Sequence, residues 1–168
     1  LSGVDDDDDR PRTGVYSWDE SFMLMALAIA GRSKDPRTQV GAVFVNADHR
    51  VMSVGYNGAP RGLPDADMHW RRHADDPALT KYPYVIHAER NAILNYRGLL
   101  SDFLGSTLYV TLFPCHECAK SLAQIGVGRV AWLNGPRHAD DAAVAMDLLK
   151  WAGTAVDAAA IDIPPASR

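Results

Sequence analysis

Cysteine is almost absent from this chain. Of 168 residues only Cys115 and Cys118 are cysteines, three positions apart. Two such neighbours exclude a disulfide scaffold and fit a reducing compartment. Long apolar runs are missing as well, so neither a membrane span nor a signal peptide is expected. Positive charge is in the minority, with 17 Lys and Arg against 21 Asp and Glu for a formal net charge of −4. A protein held on a polynucleotide by phosphate contacts usually carries a basic patch, and no Lys/Arg block stands out here. These absences predict a cytoplasmic protein that handles small molecules, with no membrane and no polynucleotide as partner. What is plentiful is apolar residue, 47% of the chain, which at this length suits one domain with a sizeable core.

Residues 1–14, with aspartate at every position from 5 to 9, read as a disordered acidic tail, because like charges repel and nothing apolar is there to bury. The chain opens without Met, so part of that tail reads as trimmed or foreign. A single domain is expected over 15–160 and a short C-terminal tail over 161–168. Ser17 and Glu20 form a capping-box pattern before a helix whose stripe is Trp18, Phe22, Met25, Ala26 and Ile29, with a stop at Gly31. Strands are predicted at 40–46 and 51–56 around a turn near Asp48. Residues 57–83 show little periodicity, and a loop that long in a compact domain is usually functional. Helical spacing returns at 85–96, 115–125 and 140–151, alternating with strands at 107–111, 129–133 and 154–159. Two strands followed by alternating helix and strand predict a three-layer α/β/α fold, with about five strands and helices on both faces.

The chemistry is concentrated in two segments, His87-Ala88-Glu89 and Pro114-Cys115-His116-Glu117-Cys118. A catalytic zinc takes three protein ligands and leaves a fourth position for water, and His87, Cys115 and Cys118 supply three. Cys115 and Cys118 share one face of a helical turn. His87 and Glu89 lie about 200° apart on a helix, so both reach one ion only if it sits off a helix end. Helix N-termini at both motifs would favour two thiolates. Glu89 is then the proton carrier, from the attacking water to a ring nitrogen and afterwards to an exocyclic amine that leaves as ammonia. Alone, the Cys-x-x-Cys pair is as often a redox or structural-zinc half site, and a lone helical His is usually structural. Together the segments match the known signature of zinc-dependent nucleobase deaminases.

With those motifs in place, the chain resembles the deoxycytidylate (dCMP) deaminases of the cytidine deaminase-like superfamily. The likeness runs from about Trp18 to Gly153 and includes Arg32-Ser33-Lys34-Asp35-Pro36, Gln39-Val40-Gly41-Ala42, Gly55-Tyr56-Asn57-Gly58 and Lys81-Tyr82-Pro83-Tyr84-Val85. The resemblance implies hydrolysis of dCMP to dUMP, feeding thymidylate synthesis, with zinc on His87, Cys115 and Cys118, one ion per chain. It implies that Asn57 contacts the sugar and base edge and that the Ala88 N–H meets the base carbonyl. It also implies a homo-oligomer, often a hexamer, activated by dCTP and inhibited by dTTP. For those effectors the loop holding Asn57, Gly58 and Gly62 is expected to wrap a nucleotide. Ser33 and Lys34, in the connection after the first helix, are expected to bind the substrate phosphate. A second metal site at Asp67, His69 and His73 is weighed and set below solvent-facing loop residues. Two positions depart from the pattern. Arg90 stands where many members have Leu, and the segment 134–138 lacks a Tyr often found there. A deaminase of another cytosine nucleotide or nucleoside, or a catalytically idle nucleotide-binding subunit, remains as an alternative.

Overall fold

The computed structural model describes residues 13–159 together with 11 and 161. The aspartate run at 5–9 and residues 162–168 lie outside the described residues. Ser17 starts the first helix, α1 (Trp18–Ala30), through a reciprocal cap. Its Oγ accepts from Glu20 N at 3.2 Å, and Glu20 Oε2 accepts from Ser17 N at 2.6 Å. A hairpin follows, β1 (Gly41–Val45) and β2 (Val51–Tyr56), with His49 at φ 58° in its turn. The rest alternates as expected: α2 (Ala88–Asn95), β3 (Thr107–Leu112), α3 (His116–Gln124), β4 (Arg129–Asn134), α4 (Ala139–Trp151) and β5 (Ala155–Ala158). Short 3-10 turns at Asp65–Asp67, Pro77–Leu79 and Leu100–Phe103 punctuate the connections.

The strands form one sheet in the order β2-β1-β3-β4-β5. β1 runs antiparallel to both β2 and β3, whereas β3, β4 and β5 are mutually parallel. β1 reads Gly-Ala-Val-Phe-Val and is buried throughout, as a strand covered on both faces must be. Alternation divides its side chains. Ala42 and Phe44 join Leu108, Val110 and Val130 under α2, α3 and α4, while Val43 joins Tyr109 and Ala131 under α1. The three-layer expectation therefore holds, with one helix on one face and three on the other.

The buried face of α1 differs from the predicted stripe. Phe22, Met23, Ala26 and Ala30 are buried, while Trp18 and Met25 are 56% and 40% exposed. The cause is close approach. A Cβ placed on Gly41 would lie 1.9 Å from the Ala26 carbonyl oxygen, so α1 meets β1 closely at Ala26 and Ala30, and the face that carries them with Phe22 and Met23 is the buried one. Trp18 instead stacks on His49 at 4.4 Å between ring centroids.

The predicted helix at 85–96 starts later, at Ala88. Gly58 and Ile86 form a two-way bridge, Gly58 N to Ile86 O at 3.1 Å and Ile86 N to Gly58 O at 2.9 Å, which keeps 85–86 extended. The long connection at 57–83 is also tied down. Met68 is buried, Trp70 Nε1 donates to Asp65 O at 3.0 Å, and Lys81 N donates to Arg71 O at 3.0 Å.

Candidate active site

Four chain segments meet at one end of the strands: the approach to β1, the exit of β2, the exit of β3 and the exit of β4. The carboxyl ends of parallel strands are where open α/β sheets place ligands. A cavity of about 220 Å³ lies there, bounded by Val40, Asn57, Phe113 and Pro114 and by residues of the two motifs.

His87 is not inside α2 but caps it, with φ −68° and ψ 154°. Cys115 caps α3 in the same way, with φ −73° and ψ 165°, and Cys118 follows in the first turn. The two positions separating His87 from Glu89 thus span a helix boundary, which removes the 200° problem. The start of α3 turns the Cys118 N–H to the Cys115 sulfur, and both motifs sit at positive helix ends.

The metal-ligand geometry is specific. Nδ1 of His87 lies 3.4 Å from Sγ of Cys115 and 3.4 Å from Sγ of Cys118, and all three atoms lie within 4.8 Å of one another. A tetrahedral zinc with Zn–S of about 2.3 Å and Zn–N of about 2.05 Å implies an S···N edge of roughly 3.6 Å, so the residues fit the ion. The donor chemistry agrees. A hydrogen bond from Cys118 pulls the Cys115 thiol down to about 4, and the same contact, with burial, pushes Cys118 up. A divalent cation held by both would stabilise both as thiolates. The hydrogen bond to Cys115 holds the His87 imidazole above its ordinary range.

Glu89 is 5% exposed, and it lines the same cavity as His87 and Cys115. Burial raises its carboxyl above the usual range, opposed by the nearby His87 charge. Ala88, the first residue of α2, is fully buried in the cavity wall, and its N–H belongs to the set that a helix start leaves without an internal partner.

The remaining predicted residues are placed as follows. Asn57 lines the cavity, but its amide is committed within the protein. Oδ1 accepts from Val40 N at 2.8 Å, and Nδ2 donates to Thr38 O at 2.8 Å. Ser33 and Lys34 do not border the cavity. The Ser33 hydroxyl is turned inward to the Asn57 carbonyl at 2.7 Å, and Lys34 is ion-paired with Asp65 on the surface. Gly58 is held in the bridge to Ile86, whereas Gly62 sits at φ +92° with open space around it. Among the described residues the one group within shared ligand reach is His87, Cys115 and Cys118, and His69 instead faces the Tyr84 ring at 6.2 Å. Arg90 is exposed, 3.9 Å from Glu117.

Several wall residues escaped the sequence reading. Asp35 and Lys81 form a buried ion pair in the wall, and Thr38, Arg137 and His138 border the cavity from two connections, with Asp141 in the first turn of α4. Asp35 and Lys81 do occur in the motif segments quoted for the family likeness, but nothing in their spacing shows that they meet.

Comparison with known proteins bears on the same region. A family model described as cytidine and deoxycytidylate deaminase zinc-binding region matches residues 16–134. A curated human protein named deoxycytidylate deaminase is 45% identical over 140 residues, spanning 83% of this chain and 78% of its own. The mouse protein of the same name is 44% identical over 140 residues, with the same coverage. Among solved structures, a cyanophage S-TIM5 dCMP deaminase in complex with dCMP and dUMP is similar, with a TM-score of 0.63 and 28% identity. The match covers 83% of this chain and 94% of the phage one. No described helix is long and apolar enough to cross a membrane.

Proposed function

The chain belongs to the cytidine and deoxycytidylate deaminase zinc-binding family, and from that premise we propose that it hydrolyses dCMP to dUMP and ammonia. The observation that carries the reading is the shared cavity. A buried carboxylate, Glu89, stands beside a His/Cys/Cys group with the spacing of a zinc site. His87, Cys115 and Cys118 would hold the zinc, which supplies a Lewis acid that makes water a nucleophile at neutral pH.

The chain's own groups handle binding and protons. The Glu89 carboxylate takes a proton from the attacking water and delivers it to N3 of the cytosine ring. It takes the second proton and delivers it to the amine on C4, the C4–N bond breaks, and ammonia leaves. One water is consumed and one ammonia released, so the carboxylate ends as it began. Burial suits Glu89 to hold a proton between the two deliveries. In this reading the Ala88 N–H meets the base carbonyl, and Asn57, which lines the cavity, stands on the sugar side.

Activation by dCTP, inhibition by dTTP and assembly as a hexamer belong to this reading on the strength of the family likeness, as does a cytoplasmic setting in which both thiols stay reduced. Kinetics with dCTP and dTTP present, and sedimentation of the zinc-loaded protein, test those parts separately.

The decisive experiment is ammonia release from a panel of cytosine, deoxycytidine, CMP, dCMP and 5-methyl-dCMP. The highest kcat/KM is expected on dCMP. Release from none of them would leave a nucleotide-binding subunit, and a preference for another member would reassign the substrate.

A further inference from the structure

The first turn of α3 carries two of the three metal ligands, so the chemistry depends on where that turn is held. Cys115 stands at the cap and Cys118 at the third helical position, with His116 and Glu117 between them. A helix start leaves its first N–H groups without partners inside the helix. The Cys118 N–H is turned to the Cys115 sulfur. The His116 N–H goes to another helix and donates to Oδ2 of Asp141 at 3.2 Å. Asp141 lies in the first turn of α4, and its second oxygen, Oδ1, pairs with Nδ1 of the same histidine. The 25 residues between them in the chain give no hint of this contact.

One carboxylate thus grips one residue twice, by its backbone and by its ring, and fixes both its position and its rotation. Cys115 directly precedes His116 and Cys118 follows two residues on, so any shift of His116 carries both sulfurs with it. Those sulfurs must stay 3.4 Å from Nδ1 of His87, which belongs to a different helix. The other side-chain links of this turn are weaker. Glu117 pairs with Lys120 within α3 and stands 3.9 Å from Arg90 of α2, both exposed contacts of the kind that contribute little. Asp141 also borders the cavity, so direct contact with the substrate is the competing role. Against it, both carboxylate oxygens are already engaged by His116.

We propose that Asp141 is a positioning residue for the metal group: acting through His116, it holds the Cys115–Cys118 turn in the place that zinc requires. This rests on the assignment of zinc to His87, Cys115 and Cys118. Contacts that orient metal ligands from outside typically matter by about 10- to 100-fold in metal affinity.

The test uses the zinc-loaded protein and its Asp141→Ala, Asp141→Asn and His116→Ala variants. Asp19→Asn, which loosens α1 away from the cavity, is the control for stability alone. Zinc affinity is measured by competition with a chromogenic chelator, at a temperature where every variant is folded. Asp141→Ala should weaken zinc binding by about 10- to 100-fold. Asp141→Asn keeps an oxygen for the His116 N–H and should recover part of the loss. His116→Ala keeps the N–H itself and should lose less than Asp141→Ala. Combining the two alanine variants should add little, since Asp141 reaches α3 through His116. The thiolate-to-metal absorption of the cobalt-loaded protein should change in Asp141→Ala and stay as in the parent in Asp19→Asn. Should Asp141→Ala not fold, Asp141→Ser, whose hydroxyl falls short of His116, gives the same reading. A lowered Tm with zinc affinity equal to the parent's would make Asp141 a plain structural tie and overturn the proposal. So would unchanged zinc affinity with only KM for dCMP raised, which would put Asp141 on the substrate. An unaltered protein that holds no zinc would overturn the metal assignment itself, and the proposal with it.

Discussion

Lys81 is ion-paired to Asp35 inside the cavity wall, with their side chains 5% and 0% exposed. Burial alone would push the Asp35 carboxyl up, but the Lys81 hydrogen bond and the N–H of Arg37 bring it below the usual range. Oδ1 of Asp35 also accepts from Arg37 N at 2.9 Å and Thr38 N at 3.2 Å, so the pair anchors the turn that presents Thr38. Removing one partner strands the other charge. Lys81→Met is expected to cost about 3–5 kcal/mol in urea unfolding. Adding Asp35→Asn should return part of that loss, and a double variant as weak as the sum of both singles would show that the pairing is not what stabilises the wall.

Glu89→Gln keeps the shape and buried position of the side chain but cannot carry a proton. Metal analysis should still find one zinc per chain, because the ligand group His87, Cys115 and Cys118 is untouched. Turnover of dCMP should fall by about 10² to 10⁴-fold. Activity within tenfold of the parent would remove Glu89 from the proton path.

Gly55 sets the depth of α2. A Cβ there would lie 2.3 Å from Ala92 N and 2.4 Å from Ala88 O, both backbone atoms that cannot swing aside. Gly55→Ala should therefore push α2 off β2, destabilise by about 1–3 kcal/mol, and lower kcat because His87 and Glu89 move with the helix start. Thermal unfolding and turnover measured together would check this. Full activity at a lowered Tm would mean that the helix start stays in place while the rest of α2 yields.

Asp19 ties α1 to the sheet. Arg129 donates to its two carboxylate oxygens at 2.8 and 2.7 Å, and Tyr109 Oη donates at 2.7 Å. The Arg129 hydrogen bonds lower its pKa against the cost of burial. A carboxyl depressed on folding binds fewer protons in the folded than in the unfolded state. Its stabilisation is thus complete above the unfolded value of about 3.9 and is lost as pH falls through the lower folded value. Asp19→Asn is expected to cost about 1 kcal/mol near pH 7, since the pair is partly screened. The gap to the parent should begin to narrow below about pH 4 and close as pH falls through the lower folded value. Chemical unfolding at pH 7 and pH 3 measures it, and a gap that stays constant would point to packing rather than charge.

Local physics made much of this legible in the residues alone. Short apolar runs marked the strands, the Ser17/Glu20 pair marked the start of α1, and the two short motifs named the metal group before any geometry was known. These signals are local because capping, run length and ligand spacing act within a few residues of one another.

What tertiary structure decided depends on approaches between distant segments. The bridge between Gly58 and Ile86 moved the start of α2 and placed His87 at its cap. The contact between Gly41 and Ala26 chose which face of α1 is buried, against the stripe its bulky residues suggested. Proximity in sequence made Ser33 and Lys34 look like the phosphate loop, yet one is spent on a backbone carbonyl and the other on Asp65. Arg72 and Arg137 carry no motif and meet only because the long connection and the β4–α4 connection close over Thr38. Residue type and short spacing determined which chemistry this protein holds. Packing determined which side chains reach it, because a charge or hydroxyl far off in the chain is brought to the cavity by backbone contacts that its own neighbours do not encode.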